Sequence, residues 1–118
     1  MREGSDAATG ELRRVLLPVE SSPGRGGILA LEVYSDGLVL RWRGPRLWAL
    51  GDPASRAASF ALRDDIGTRY RFQGLTAGGR GEQLAHGMTT FSPAVPEAAR
   101  WIEASAPTGW ARFALTHA

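Results

Sequence analysis

Hydrophobic and polar residues alternate along most of this chain, and Gly, Pro and Asp interrupt the alternation at short intervals. A period of two residues is typical of antiparallel strands that bury one face. The pattern predicts eight strands, near residues 12–20, 27–35, 37–43, 59–64, 68–74, 83–92, 101–104 and 110–115, and one short helical turn over 96–100 that starts at its proline. Because helical periodicity is nearly absent, we predict an all-β fold.

The first strand pair with a predictable register surrounds Asp36-Gly37, a type I′ turn signal between two alternating runs. With these two residues as the loop, Val33 lies opposite Leu40, and the apolar side chains share one face. On the other face Glu32 then lies opposite Arg41, which forms an opposite-charge pair. A slip of one residue would remove both agreements, so turn and register support each other.

Residues 60–72 predict a second hairpin, with a three-residue loop at 65–67. Asp64 suits the first position of a type I turn, because its carboxylate accepts backbone N–H groups, and Gly67 suits the left-handed position that closes the loop. The predicted pairs across this hairpin are Phe60 with Phe72, Leu62 with Tyr70, and Arg63 with Arg69.

Sequence motifs in the middle and C-terminal half carry a family resemblance. The stretch from Phe60 to Tyr70 has the core Asp-Asp-Ile-Gly-Thr-x-Tyr, and Phe91-Ser92-Pro93 and Pro96 follow it. In these motifs the chain resembles a family of uncharacterised bacterial, actinobacterial-type immunoglobulin-like β-sandwich domains. The resemblance implies an immunoglobulin-like antiparallel β-sandwich of about seven or eight strands that has a binding or spacer role, and it transfers no catalytic residue. The predicted core comprises Leu31, Val33, Leu40, Trp42, Phe60, Leu62, Tyr70, Phe72 and Phe91.

Composition sets the size and class of the domain. The chain has 118 residues, of which 43% are hydrophobic and 22% charged, as in ordinary globular domains. We expect residues 1–10 to form a flexible N-terminal segment and residues 11–118 a single β-sandwich domain. Residues 1–10 lack the apolar run of a secretory signal, and no apolar run is long enough to span a bilayer. We therefore expect no membrane insertion and a cytoplasmic location by default, and leave open an extracellular domain of a larger chain.

Catalytic and metal-binding chemistry find little support in the sequence. The chain has no cysteine, and its two histidines, His86 and His117, lack partners at ligand spacing. Asp64 and Asp65 are adjacent carboxylates, but neighbouring side chains point apart, and a turn explains them better than acid–base catalysis. A nucleophile elbow of the type Gly-x-Ser-x-Gly is absent. We predict no enzyme, no metal site and no cofactor, with an enzyme of unrecognised type as an alternative.

The arginines are the sharpest candidates for binding. All 14 basic residues are Arg, against 12 acidic residues, so the net charge is only +2. If both hairpins belong to one sheet, five arginines share its outer face: Arg41, Arg43, Arg63, Arg69 and Arg71. Such a face suits an acidic protein or a phosphate-bearing ligand. Nucleic acid is a weaker interpretation, because aromatic residues do not interleave with these arginines.

The remaining candidate is Trp48, which lies in an irregular segment between prolines and either caps the sandwich or forms an exposed patch. The sequence thus predicts a non-enzymatic protein-interaction or structural binding module. Its partner is an unknown protein or a second copy, since open sandwiches have edges that pair. The alternative is binding of a small ligand, carbohydrate or nucleic acid through the Arg-rich face or the Trp48 region.

Overall fold

Nine strands make up most of the described chain. The computed structural model describes residues 10–23, 27–45, 59–78, 84–107 and 109–115. The strands in these residues are β1 (Leu12–Leu16), β2 (Glu20–Ser21), β3 (Gly27–Tyr34), β4 (Gly37–Pro45), β5 (Ala61–Asp64), β6 (Arg71–Gly78), β7 (Leu84–Ser92), β8 (Trp101–Ala106) and β9 (Gly109–Ala114).

The strands form two antiparallel sheets whose apolar faces share one core, so the predicted all-β sandwich is confirmed. The five-stranded sheet has the order β1-β3-β4-β7-β6, and the four-stranded sheet has the order β2-β9-β8-β5. On one lateral side of the sandwich, β1 is the end strand of the five-stranded sheet and β2 is the end strand of the four-stranded sheet. On the other side, β6 is the end strand of the five-stranded sheet and β5 is the end strand of the four-stranded sheet.

The single strand predicted near residues 12–20 is divided between the two sheets. Its first part, β1, pairs with β3, whereas β2 pairs with β9, and the backbone N–H of Val19 donates to the carbonyl of Arg112 at 2.8 Å. Pro18 lies at the crossing, where it has no backbone N–H to give to a ladder. The alternating pattern therefore continues across a change of sheet. Because this one predicted strand forms two, the described residues contain nine strands where eight were predicted.

The hairpin of β3 and β4 has the predicted faces but a different turn. Its loop is Ser35 and Asp36, with Val33 opposite Leu38, a shift of two residues from the predicted register. Positive φ, which a type I′ turn at Asp36-Gly37 requires, occurs in the described residues only at Gly27 and Gly67. Glu11, the residue before β1, holds the observed turn, because Ser35 donates its N–H to the carbonyl of Glu11 and accepts the N–H of Glu11 at its hydroxyl, both at 2.9 Å.

The predicted hairpin over residues 60–72 is wrong. Strand β5 pairs with β8, which places Arg63 opposite Glu103, and β6 pairs with β7, which places Phe72 opposite Phe91. The segment between β5 and β6 is a crossover from one sheet to the other. None of the three predicted pairs exists: Phe60 with Phe72, Leu62 with Tyr70, and Arg63 with Arg69.

The segment predicted as a helical turn is a hydrogen-bonded turn instead. The N–H of Ala99 donates to the carbonyl of Pro96 at 3.1 Å, and residues 97 and 98 form the turn. One such bond reverses the chain before β8 without extending into a helix.

The core lies between the sheets and is centred on Trp42. Its indole N–H donates to the hydroxyl of Thr89 at 3.0 Å, and its ring lies 5.6 Å from that of Phe60. Seven of the nine predicted core residues are buried, while Tyr70 and Phe72 are partly buried and pack against the cluster. Strands β8 and β9 add buried residues outside the prediction: Ile102, Ala104, Ala111 and Phe113.

Candidate functional site

The five candidate arginines do not share one face. Arg41, Arg43 and Arg71 lie on the outer face of the five-stranded sheet, while Arg63 belongs to the four-stranded sheet and Arg69 to the crossover. Because the predicted common face required one hairpin over residues 60–72, it disappears with that hairpin. A binding role for each arginine stays a prediction, and Trp48 lies outside the described residues.

Arg41 already has a partner on its own sheet. Its Nε donates to the Glu32 carboxylate at 2.8 Å across β3 and β4, along the diagonal because Glu32 lies opposite Val39. The Tyr34 hydroxyl donates to the same carboxylate at 3.0 Å. Burial, followed by this hydrogen bond to Glu32, raises the pKa of Tyr34 above its ordinary value. The predicted Glu32–Arg41 charge pair is thus confirmed, although the two residues are not directly opposed.

Arg63 is part of a row of alternating charge across the four-stranded sheet. In register, Arg63 faces Glu103, Glu103 faces Arg112, and Arg112 faces Glu20. The Glu103 carboxylate lies 2.6 Å from Nη2 of Arg63 and 3.5 Å from Nη2 of Arg112. Both guanidinium groups also lie over the Trp101 ring, at 5.8 Å for Arg63 and 4.6 Å for Arg112. This row neutralises its own charge, which makes it a poor acceptor for an acidic partner.

Arg43 and Arg71 have no carboxylate partner within the described residues, but they are far apart. On β7, Arg43 lies opposite His86 and Arg71 lies opposite Ser92. Those two positions are six residues apart along the strand, which corresponds to about 20 Å. Two isolated charges at opposite ends of a sheet do not form a focused anion site.

The two adjacent aspartates organise the crossover. One oxygen of Asp64 accepts the N–H groups of Ile66 and Thr68, each at 3.0 Å, and the other accepts the Tyr70 hydroxyl at 2.7 Å. Asp65 accepts the N–H of Arg100 at 2.8 Å, at the start of β8. The predicted turn role of Asp64 is confirmed, as is the left-handed conformation of Gly67, whose φ is 85°.

These contacts shift the pKa values of Asp64 and Tyr70 in the crossover. Burial alone would raise the pKa of Asp64, but its hydrogen bonds, chiefly from Thr68 and Tyr70, outweigh burial and lower that pKa. Burial and the bond to Asp64 raise the pKa of Tyr70 well above its ordinary value. The carboxylate is therefore held charged and the phenol neutral, which suits a structural clasp rather than proton transfer.

A cleft of about 980 Å³ opens at the end of the sandwich near the β3–β4 turn. Its charged lining residues are Arg13, Arg14, Arg100 and Glu97. Nη1 of Arg14 donates to the carbonyl of Leu115 at 2.8 Å, so this guanidinium ties β1 to the end of β9. The remaining cations would suit a small ligand with a carboxylate or phosphate group.

Exposed apolar side chains concentrate on one lateral side of the sandwich. In the described part of the chain, seven large hydrophobic side chains are exposed, and five of them lie on β1, on the crossing to β2, or on the adjacent end of β3. These five are 45% to 70% exposed, and we call them the apolar edge: Leu12, Val15, Leu17, Val19 and Leu29. Leu29 lies at a bulge of β3, the strand next to β1, and two residues before Leu31, which pairs with Leu16 of β1.

Sequence reasoning missed the apolar edge. Residues 12–20 have the apolar content of an ordinary half-buried strand, which predicts that one face is covered. The division of this segment between two sheet ends leaves those side chains uncovered. Pro18 was the available signal, because proline within a strand pattern indicates an edge or a break.

No protein-family model, curated protein or solved structure matches this chain. Within the described residues, no helix has the length and apolar character needed to cross a membrane. The same part of the chain has no group of three His, Cys, Asp or Glu side chains arranged to hold a metal ion.

Proposed function

We propose that this chain is a non-enzymatic interaction module that associates with a second copy of itself through the apolar edge. The observation that carries the proposal is the concentration of five exposed apolar side chains where both sheets end. Contiguous exposed apolar surface on a small domain is costly in water and typical of protein contact surfaces. Covering it with the same surface of a second copy gives a closed two-fold dimer.

The charges described above also favour the apolar edge over the arginines. Arg41 and Arg63 have carboxylate partners, whereas Arg43 and Arg71 lie far apart. Association through arginines would weaken steeply with added salt, because exposed charges are screened over about 10 Å at 0.1 M. Association through the apolar edge would persist in salt.

The immunoglobulin-like architecture is part of this proposal. With β2 and β4 left out, the sheet orders are β1-β3-β7-β6 and β9-β8-β5. They correspond to the A-B-E-D and G-F-C orders of the constant-type immunoglobulin sandwich, with β4 inserted between the B and E equivalents. The strand order supports the likeness, while the function rests on the apolar edge, since fold alone does not imply function.

The first prediction concerns oligomeric state, measured by sedimentation equilibrium at several protein concentrations and two salt concentrations. We expect the wild type to dimerise in both salts and the double variant Leu17→Glu/Val19→Glu to be monomeric, because charge on the apolar edge must be desolvated for docking. Ile66→Glu is the matched control, since Ile66 is 49% exposed but lies in the crossover, and it should dimerise like the wild type. A wild type that stays monomeric, with a dissociation constant above about 1 mM, would contradict the proposal.

A further inference from the structure

We infer that the second copy docks by antiparallel pairing of the two β1 strands, with the two-fold axis at Val15, so that two five-stranded sheets join into one sheet of ten strands. This inference rests on the proposed function and specifies the contact that forms the dimer.

Strand β1 is the described sheet end best suited to such pairing. It pairs with β3 on one side and has no described strand on the other side, where the backbone N–H and C=O groups of alternate residues face outward. Of the other ends, β2 has two residues and β5 has four. Strand β6 has eight residues, but none of them is an exposed large hydrophobic one. The apolar edge therefore selects β1.

The faces of β1 restrict the register. Leu12 and Val15 lie on the outer face, opposite Tyr34 and Glu32, because the bulge at Arg13 takes up one residue. Directly opposed residues of antiparallel strands place their side chains on the same face. When a strand pairs with its own copy, this condition requires the two-fold axis to pass through a residue, which then faces itself.

Charge and chain path select the residue of β1 through which the axis passes. An axis at Arg13 or Arg14 would oppose like charges. An axis at Leu16, the last residue of β1, would place every other residue of the strand opposite residues beyond its end, among them Val19, which already pairs with the other sheet.

An axis at Leu12 would place Glu11 opposite Arg13 but leave Leu17 and Val19 outside the contact. An axis at Val15 opposes Val15 with itself, Arg14 with Leu16, and Arg13 with Leu17. No like charges meet in this register. The Arg14 guanidinium is turned inward to the carbonyl of Leu115, so it does not obstruct the joint.

The absence of cysteine from the chain provides a direct test. Single variants Val15→Cys, Leu12→Cys and Ile66→Cys each introduce one thiol, at side chains that are 55%, 48% and 49% exposed. Opposed antiparallel residues have Cβ atoms about 5 Å apart, close enough for a disulfide after a small adjustment. Under mild oxidation we expect Val15→Cys to form a covalent dimer at least about ten times faster than either other variant, because only residue 15 faces its own copy.

A mixed experiment checks the same register with different residues. Arg13→Cys and Leu17→Cys should cross-link when the two variants are mixed, faster than either variant alone, because residue 13 faces residue 17 of the second copy. This pair also keeps the inference testable if Val15→Cys does not fold, which far-ultraviolet circular dichroism would show.

The outcomes separate this inference from the proposed function. Faster linkage of Leu12→Cys than Val15→Cys would overturn the register, and slow linkage of every variant in a chain that sedimentation shows to be dimeric would overturn β1 pairing. Self-association survives both results. Slow linkage in a monomeric chain would overturn the inference and the proposed function together.

Discussion

At the scale of single residues, the most heavily used side chain is Asp64. Its carboxylate satisfies two backbone N–H groups of the crossover and the Tyr70 hydroxyl, and it is buried. A buried charge is tolerated only when hydrogen bonds replace its lost hydration, and these three bonds do so. The pKa of Asp64 is lowered because these hydrogen bonds to the carboxylate outweigh the effect of burial. Asp64 thus fixes the direction in which the chain leaves one sheet for the other.

This clasp predicts an acid-dependent stability. A carboxyl group whose pKa is lower in the folded chain contributes stability at pH values above its unfolded pKa, about 4, and loses that contribution as the pH falls through the folded pKa. Tyr70→Phe should therefore lower the free energy of unfolding by about 1 to 3 kcal/mol at pH 7. The loss should be smaller below about pH 4, because Asp64 of the unfolded chain then takes up a proton and the advantage of the charged, hydrogen-bonded carboxylate of the folded chain declines.

Urea denaturation at pH 7 and pH 3 measures both effects. Arg69→Gln is the control from the same crossover, since Arg69 is exposed, and it should change stability by less than about 0.5 kcal/mol. Equal losses for Tyr70→Phe at the two pH values would contradict the role of the charged carboxylate.

At the scale of elements, β5 shows how partner choice changes the meaning of a residue. In the predicted hairpin, Arg63 would have lain opposite Arg69, and the repulsion between the two like charges would have indicated a binding face. In the structure, Arg63 lies opposite Glu103, which in turn lies opposite Arg112, so the opposite charges attract each other. The same side chain therefore stabilises the four-stranded sheet instead of marking a docking site.

The sign of one substitution distinguishes these two pairings. Arg63→Glu should destabilise the domain by about 0.5 to 1 kcal/mol, because it opposes two carboxylates where an exposed ion pair stood. The predicted hairpin would have given the opposite sign, a gain from pairing the new glutamate with Arg69. Thermal unfolding of Arg63→Glu beside Arg63→Gln decides between them, and a stabilised glutamate variant would show that β5 does not pair with β8.

At the scale of the whole molecule, Trp42 connects the sheets. Its ring lies against the backbone of Gly87 on β7, bonds to Thr89 and reaches Phe60 beside β5. A Cβ on residue 87 would overlap the indole, so glycine is required there by close approach. Glycine at position 87, directly opposite Trp42 in the same sheet, therefore leaves the space that the indole occupies in the core.

Gly87→Ala should lower stability by about 1 to 3 kcal/mol through overpacking against a ring that has no space to move. Gly78→Ala on β6 is the matched control, because a Cβ there meets nothing within 4 Å, and it should be neutral or slightly stabilising. Denaturation curves of the two variants provide the comparison. A Gly87→Ala protein as stable as the wild type would mean that Trp42 does not pack on β7 as described.

Features that depend on a few neighbouring residues were predictable from the sequence. The all-β class, the inward side chains of β3 and β4, the turn role of Asp64 and the left-handed Gly67 each follow from local pattern or backbone chemistry. The faces of the first hairpin remain correct after a shift of two residues, because strand side chains alternate with a period of two.

Tertiary contacts decided which strands are neighbours. Contact between Glu11 and Ser35 holds the observed turn, and β5 and β6 bury the same apolar positions in two sheets as they would in one hairpin. The apolar edge follows from these choices, since Val15 lies on the outer face of an end strand and has no described strand on one side of it. Apolar burial has no direction, so a pattern specifies which side chains turn inward, and the packing of the whole chain specifies which strands cover them.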